Sequence, residues 1–114
     1  MPVKKFEELV AWQKAGKLTM LVFDKFKLCK NYSFKDQIFR AVISIMNNIA
    51  EGFERKSNKE FVRFLYIAKG SCGEVRSMLY VAFRLNYIGE EQFNEICTLS
   101  LEVSKLIAGL IKSL

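Results

Sequence analysis

An all-α fold, an antiparallel up-down-up-down four-helix bundle forming a single domain over residues 1–114, is what this sequence predicts. Three observations carry the prediction. Apolar residues make up 51% of the chain and recur three and four apart through most of it. The only proline is Pro2, so no later ring interrupts a long helix. The short stretches between the periodic runs are polar and rich in helix-capping residues. Period-two alternation, the mark of a half-buried strand, extends over no useful length. A chain of 114 residues buries one core without metal or disulfide staples.

The first helix is expected over about 7–28. Glu7 and Glu8 stand at its start, and Lys25, Lys27 and Lys30 at its end, as the helix dipole favours. Ser33, with Asp36 three residues on, is the expected N-cap of a second helix over about 34–51. Two apolar stripes run side by side on it: Ile38, Val42, Ile45, Ile49 and Phe53, then Phe39, Ile43, Met46 and Ala50. An arc this wide places the helix centrally in the bundle or against a second subunit. Gly52 is the expected stop. Ser57-Asn58-Lys59-Glu60 has the S-x-x-E pattern of a capping box and opens a third helix over about 58–87. Gly89 then marks a turn into a fourth helix over about 90–112, apolar around most of its circumference. Short connections favour antiparallel neighbours.

Composition narrows the function. The chain has no histidine, no Walker-type or GxGxxG loop and no CxxC pair. Di-iron bundle chemistry, which needs E-x-x-H pairs, is excluded. Cys29, Cys72 and Cys97 read as ordinary thiols in a reducing compartment. No metal and no cofactor are expected, and the protein is read as a non-enzyme. The longest uncharged stretch, 41–50, is half a membrane span, and the basic N-terminus lacks a hydrophobic signal region. A cytoplasmic protein without membrane contact is the expectation.

Net charge is +6 and uneven: +5 over residues 1–50, +3 over 51–88 and −2 over 89–114. Arg55, Lys56, Lys59 and Arg63 cluster around the second linker. Lys14 and Lys17 recur on the first helix, and Lys69 and Arg76 continue down the third. Spaced cations of this kind neutralise phosphates and release counterions, so these eight are the candidate nucleic-acid contacts. No base-reading module is present, and binding would be largely independent of sequence. A second constellation interrupts the apolar faces: Asn47, Asn48 and Glu51 on the second helix, Ser71 and Glu74 on the third. These read as interhelical hydrogen bonds that set register, or as a polar recognition site. Gly70 and Gly73 lie inside the third helix, where each costs about 1 kcal/mol relative to alanine. A close helix approach is the expected compensation.

Several stretches resemble one family. They are Phe6-Glu7-Glu8-Leu9-Val10-Ala11-Trp12-Gln13-Lys14-Ala15, the pair Gln37 and Arg40, and Ser44-Ile45-Met46-Asn47-Asn48-Ile49-Ala50-Glu51-Gly52. Lys59-Glu60-Phe61, then Ala68, Gly70, Ser71 and Glu74, and finally Leu85-Asn86-Tyr87-Ile88 complete the set. Together they resemble the four helix bundle protein family. It includes proteins encoded in 23S rRNA intervening sequences and the accessory variability proteins of diversity-generating retroelements. The proline usual before the second helix is missing; the linker reads Lys30-Asn31-Tyr32-Ser33. The resemblance implies a bundle assembled as a homo-oligomer, often a ring-like pentamer with a basic surface. In the retroelement branch it implies RNA or DNA and a reverse transcriptase as partners. The remaining alternative is a protein-interaction scaffold that does not itself touch nucleic acid.

Overall fold

The computed structural model describes residues 3–114; Met1 and Pro2 lie outside them. A single 3-10 turn, Phe6–Glu8, precedes four helices: α1 (Val10–Phe26), α2 (Tyr32–Phe53), α3 (Asn58–Arg84) and α4 (Glu90–Ser113). The first helix is broken near its start because Leu9 is extended, at φ −73° and ψ 125°, and buries its side chain in the core. Glu7 and Glu8 therefore sit in the 3-10 turn and not in α1.

The cap of α2 is Asn31, not Ser33. Its side-chain oxygen accepts from the Phe34 N–H at 3.1 Å, while its amide donates to the Tyr87 hydroxyl at 2.9 Å. One residue thus starts α2 and ties the first loop to the third. Asp36 turns outward to Arg40 at 2.9 Å. Ser57 does cap α3, accepting from the Glu60 N–H at 3.2 Å. That helix stops at Arg84, earlier than its apolar pattern suggests. Asn86 adopts φ 60°, and the Tyr87 N–H returns to the Ala82 carbonyl at 2.9 Å, the Schellman form of ending. Gly89, extended at φ −85° and ψ 174°, caps α4 and does not make the turn.

Helices pack in the cyclic order α1–α2–α3–α4–α1. Thr19 reaches the Val42 carbonyl, Phe23 packs on Phe39 and Phe26 on Phe34, so residue numbers rise along α1 as they fall along α2. Ser44 with Ser71 and Phe53 with Phe61 give the same antiparallel register for α2 and α3. The Ser100 hydroxyl on the Cys72 carbonyl, and Tyr80 and Phe83 on Phe93, give it for α3 and α4. Lys14 pairs with Glu102 while Leu9 to Ala11 lie beside Leu106 to Leu110, which closes the ring.

The core is a continuous cluster with Leu18, Val22, Phe26, Ile38, Val42, Ile45, Ile49, Leu65, Leu79, Ile96 and Ile107 fully buried. Phe39 and Met46, the second stripe of α2, are taken up by α1: Phe39 by Phe23, and Met46 by Gly16. The width of α2's apolar arc is thus largely used inside the chain. Gly52 lies within α2 and does not end it. A Cβ there would stand 2.7 Å from Phe64 Cβ and 3.0 Å from the Phe61 ring. Gly52 is therefore a contact point between helices, where α3 crosses too close for any side chain.

Candidate nucleic-acid interface

The structure divides the eight candidate cations among three places. Arg55, Lys56, Lys59 and Arg63 share the α2–α3 corner. Arg55 bonds Glu51 at 2.7 Å, lies 4.0 Å from Glu60, and holds its guanidinium 4.7 Å from the centre of the Phe64 ring. Arg63 lies 5.8 Å from the same ring centre. Lys56 and Lys59 are exposed. Arg55 and Lys56 also line an open recess of about 530 Å³ with Val3, Phe53, Ser57 and Phe61. Two carboxylates therefore offset Arg55, and Glu54 adds a third negative charge to this corner.

Lys14 and Lys17 lie on α1. Lys14 bonds Glu102 of α4 at 3.2 Å, so half of this pair is already neutralised. Lys69 and Arg76, seven residues apart on α3, lie on its α4 side. Both act electrostatically on the Cys72 thiol, and Arg76 also on Cys97 of α4. Burial nonetheless dominates at both sulfurs: it pushes the Cys72 thiol up to about 11 and raises Cys97. Protonated thiols are poor nucleophiles, so neither cysteine is an activated one.

The polar constellation is partly one network. The Ser44 and Ser71 hydroxyls meet across α2 and α3 at 2.9 Å, and the Asn48 amide donates to the Ser44 hydroxyl at 3.0 Å and to its carbonyl at 2.8 Å. Asn48 and Ser71 thus fix the register of two helices. Asn47, Glu51 and Glu74 are exposed and stand outside this link, Glu51 being held by Arg55 of its own helix. Ser44 joins this network although it stands outside the predicted polar constellation; its place one turn before Asn48 is the signal in the sequence. In the α2–α3 register, Glu51 faces the turn near Phe64, ten residues from Glu74 and so about 15 Å along the helix. That is beyond the roughly 5–9.5 Å of a paired-carboxylate site. Gly70 and Gly73 have no atom within 4 Å of where a Cβ would stand, so no helix of this chain closes on them. Among the described residues no cluster of three or more His, Cys, Asp or Glu side chains is placed to hold a metal ion. No helix is long and apolar enough to cross a membrane.

Four antiparallel helices, an apolar core and a cation-rich surface define a small helical bundle protein. The chain belongs to the 23S rRNA-intervening sequence protein family, whose model matches residues 7–109. It is also similar to a crystal structure of a Bacteroides thetaiotaomicron protein of unknown function from the S23 ribosomal protein family. The two share 28% identity and superpose with a TM-score of 0.84, over 90% of this chain and 99% of the other. A comparison with curated proteins gives no match.

Proposed function

We propose that this protein is a non-catalytic accessory protein whose basic surface binds RNA or DNA through the phosphate backbone, with little sequence preference. One observation carries the reading. Of the eight candidate cations only Arg55 and Lys14 form ion pairs among the described residues. Lys17, Lys56, Lys59, Arg63, Lys69 and Arg76 form none and keep their charge available for phosphates. The protein works in the cytoplasm, where RNA and DNA are both at hand. The test is charge reversal of Lys59, Arg63, Lys69 and Arg76 to glutamate, read by fluorescence anisotropy with labelled RNA and DNA. Affinity at least about tenfold weaker supports the reading, and unchanged affinity removes it.

A second reading is favoured by the outer α2–α3 face. Ile43 and Ile67 are 41% and 45% exposed there, beside the open Gly70. This face serves self-association, as a ring of five in line with the resemblance, or docks a protein such as a reverse transcriptase. Light scattering at the monomer mass under dilute conditions contradicts self-association. A partner that stays bound after nuclease treatment supports docking without nucleic acid.

A further inference from the structure

One face of α3 sets two exposed tyrosines and a glycine, which the phosphate-binding reading leaves unused, beside two of its cations. Tyr66, Lys69, Gly73, Arg76 and Tyr80 recur three and four apart, so they form a single stripe along the helix. The stripe looks toward α4: Tyr80 meets the Phe93 ring at 5.0 Å, and Arg76 lies near Cys97. Both tyrosines are open to solvent, Tyr66 at 60% and Tyr80 at 55%. Between them the helix backbone is bare at Gly73. Among the described residues neither cation of the stripe forms an ion pair, and the acids nearest in sequence point elsewhere. Glu102 is bonded to Lys14 on the α1 side of α4, and Glu95, two turns before it, shares that side. Glu74, three residues after Ser71, follows it toward α2. Glu90 and Glu91 lie a turn beyond the Tyr80–Phe93 contact.

We infer that this stripe is a track for single-stranded nucleic acid, with Tyr66 and Tyr80 stacking on bases and Lys69 and Arg76 holding the phosphates between them. The inference rests on the nucleic-acid reading and names its site and ligand class. An exposed tyrosine stacks only on a base whose face is free, and in a duplex both faces of every internal base are covered. Sequence-tolerant single-strand binders combine cations with such aromatic platforms. The two tyrosines stand about 21 Å apart along the helix at 1.5 Å per residue. That spans roughly six nucleotides at a stacked spacing of about 3.4 Å. The bare backbone at Gly73 lets the strand lie against the helix where a side chain would lift it away.

The experiment uses the full chain, a labelled 12-nucleotide oligouridine and a 12-base-pair RNA duplex, with anisotropy as the readout. Tyr66→Ala, whose ring makes no aromatic contact in the fold, is the first variant; Tyr66→Phe retains the stacking face. Gly73→Leu fills open space and so blocks the track without disturbing the core. Tyr66→Ala and Gly73→Leu are each expected to weaken oligouridine binding about tenfold and to leave the duplex nearly unchanged, while Tyr66→Phe binds as the parent does. Equal losses on both probes, or no loss on oligouridine, overturn the track while the parent's binding still stands. A parent protein that binds neither probe overturns the track and the nucleic-acid reading together. Variants that change the mass in light scattering but not binding assign the stripe to contact between copies of this chain, which also overturns it.

Discussion

Gly52 on α2 and Gly70 on α3 are both helix-interior glycines, and their surroundings are opposite. At Gly52 the partner helix is so close that a Cβ would sit 2.7 Å from Phe64 Cβ. At Gly70, and at Gly73 about one turn further along α3, nothing stands within 4 Å. The same residue in the same kind of sequence context thus serves packing in one place and leaves bare backbone in the other. Inside the chain Gly52 is compensated by this contact, as Gly16 is by Met46. The loss of helix propensity at Gly70 and Gly73 is offset by no contact among the described residues.

Substitutions sharpen that contrast, beginning with the largest. Gly52→Ala forces Phe64 and its backbone to move and is expected to destabilise the protein by about 1–3 kcal/mol in urea denaturation. Stability equal to the parent's would show that the seam has slack there. Next comes the thiol at the centre of α3. The unfolded Cys72 ionises near its ordinary value of 9.0, whereas the folded thiol stays protonated to about 11. A raised folded value means the contribution is complete below pH 9 and is lost as the pH climbs from there toward 11. The expected loss is on the order of 2 kcal/mol. Cys72→Ala should flatten that part of the stability–pH profile relative to the parent. Ser71→Ala removes one partner of the Ser44 hydroxyl and is expected to cost about 1 kcal/mol, since Asn48 still satisfies Ser44. Gly70→Ala should act with the opposite sign to Gly52→Ala, raising stability by up to about 1 kcal/mol. A destabilised Gly70→Ala protein would contradict the open space seen there.

Much of the fold was legible in the sequence for local reasons. Three- and four-residue apolar spacing reports a buried stripe directly, and Ser57 sits at a helix start whose capping needs only its own turn. What escaped depends on distant partners. Asn31 outranks Ser33 as a cap because it also bonds Tyr87, 56 residues away. Gly52 reads as a stop until Phe64 is seen beside it. Among the surface residues, the charge of Lys14 was legible, but not the carboxylate that offsets it, because Glu102 reaches Lys14 only across the closed ring. The stripe on α3 was present as spacing, yet cations counted alone hid it. Its tyrosines matter only once both are known to face outward beside Lys69 and Arg76.

The most direct test of the central claim is the salt dependence of binding by the unmodified protein, measured with labelled single-stranded RNA between about 50 and 200 mM salt. Neutralising about four phosphates on a single strand predicts a log–log slope near −3. No binding at the lower salt, or an affinity indifferent to salt, would contradict a phosphate-binding surface.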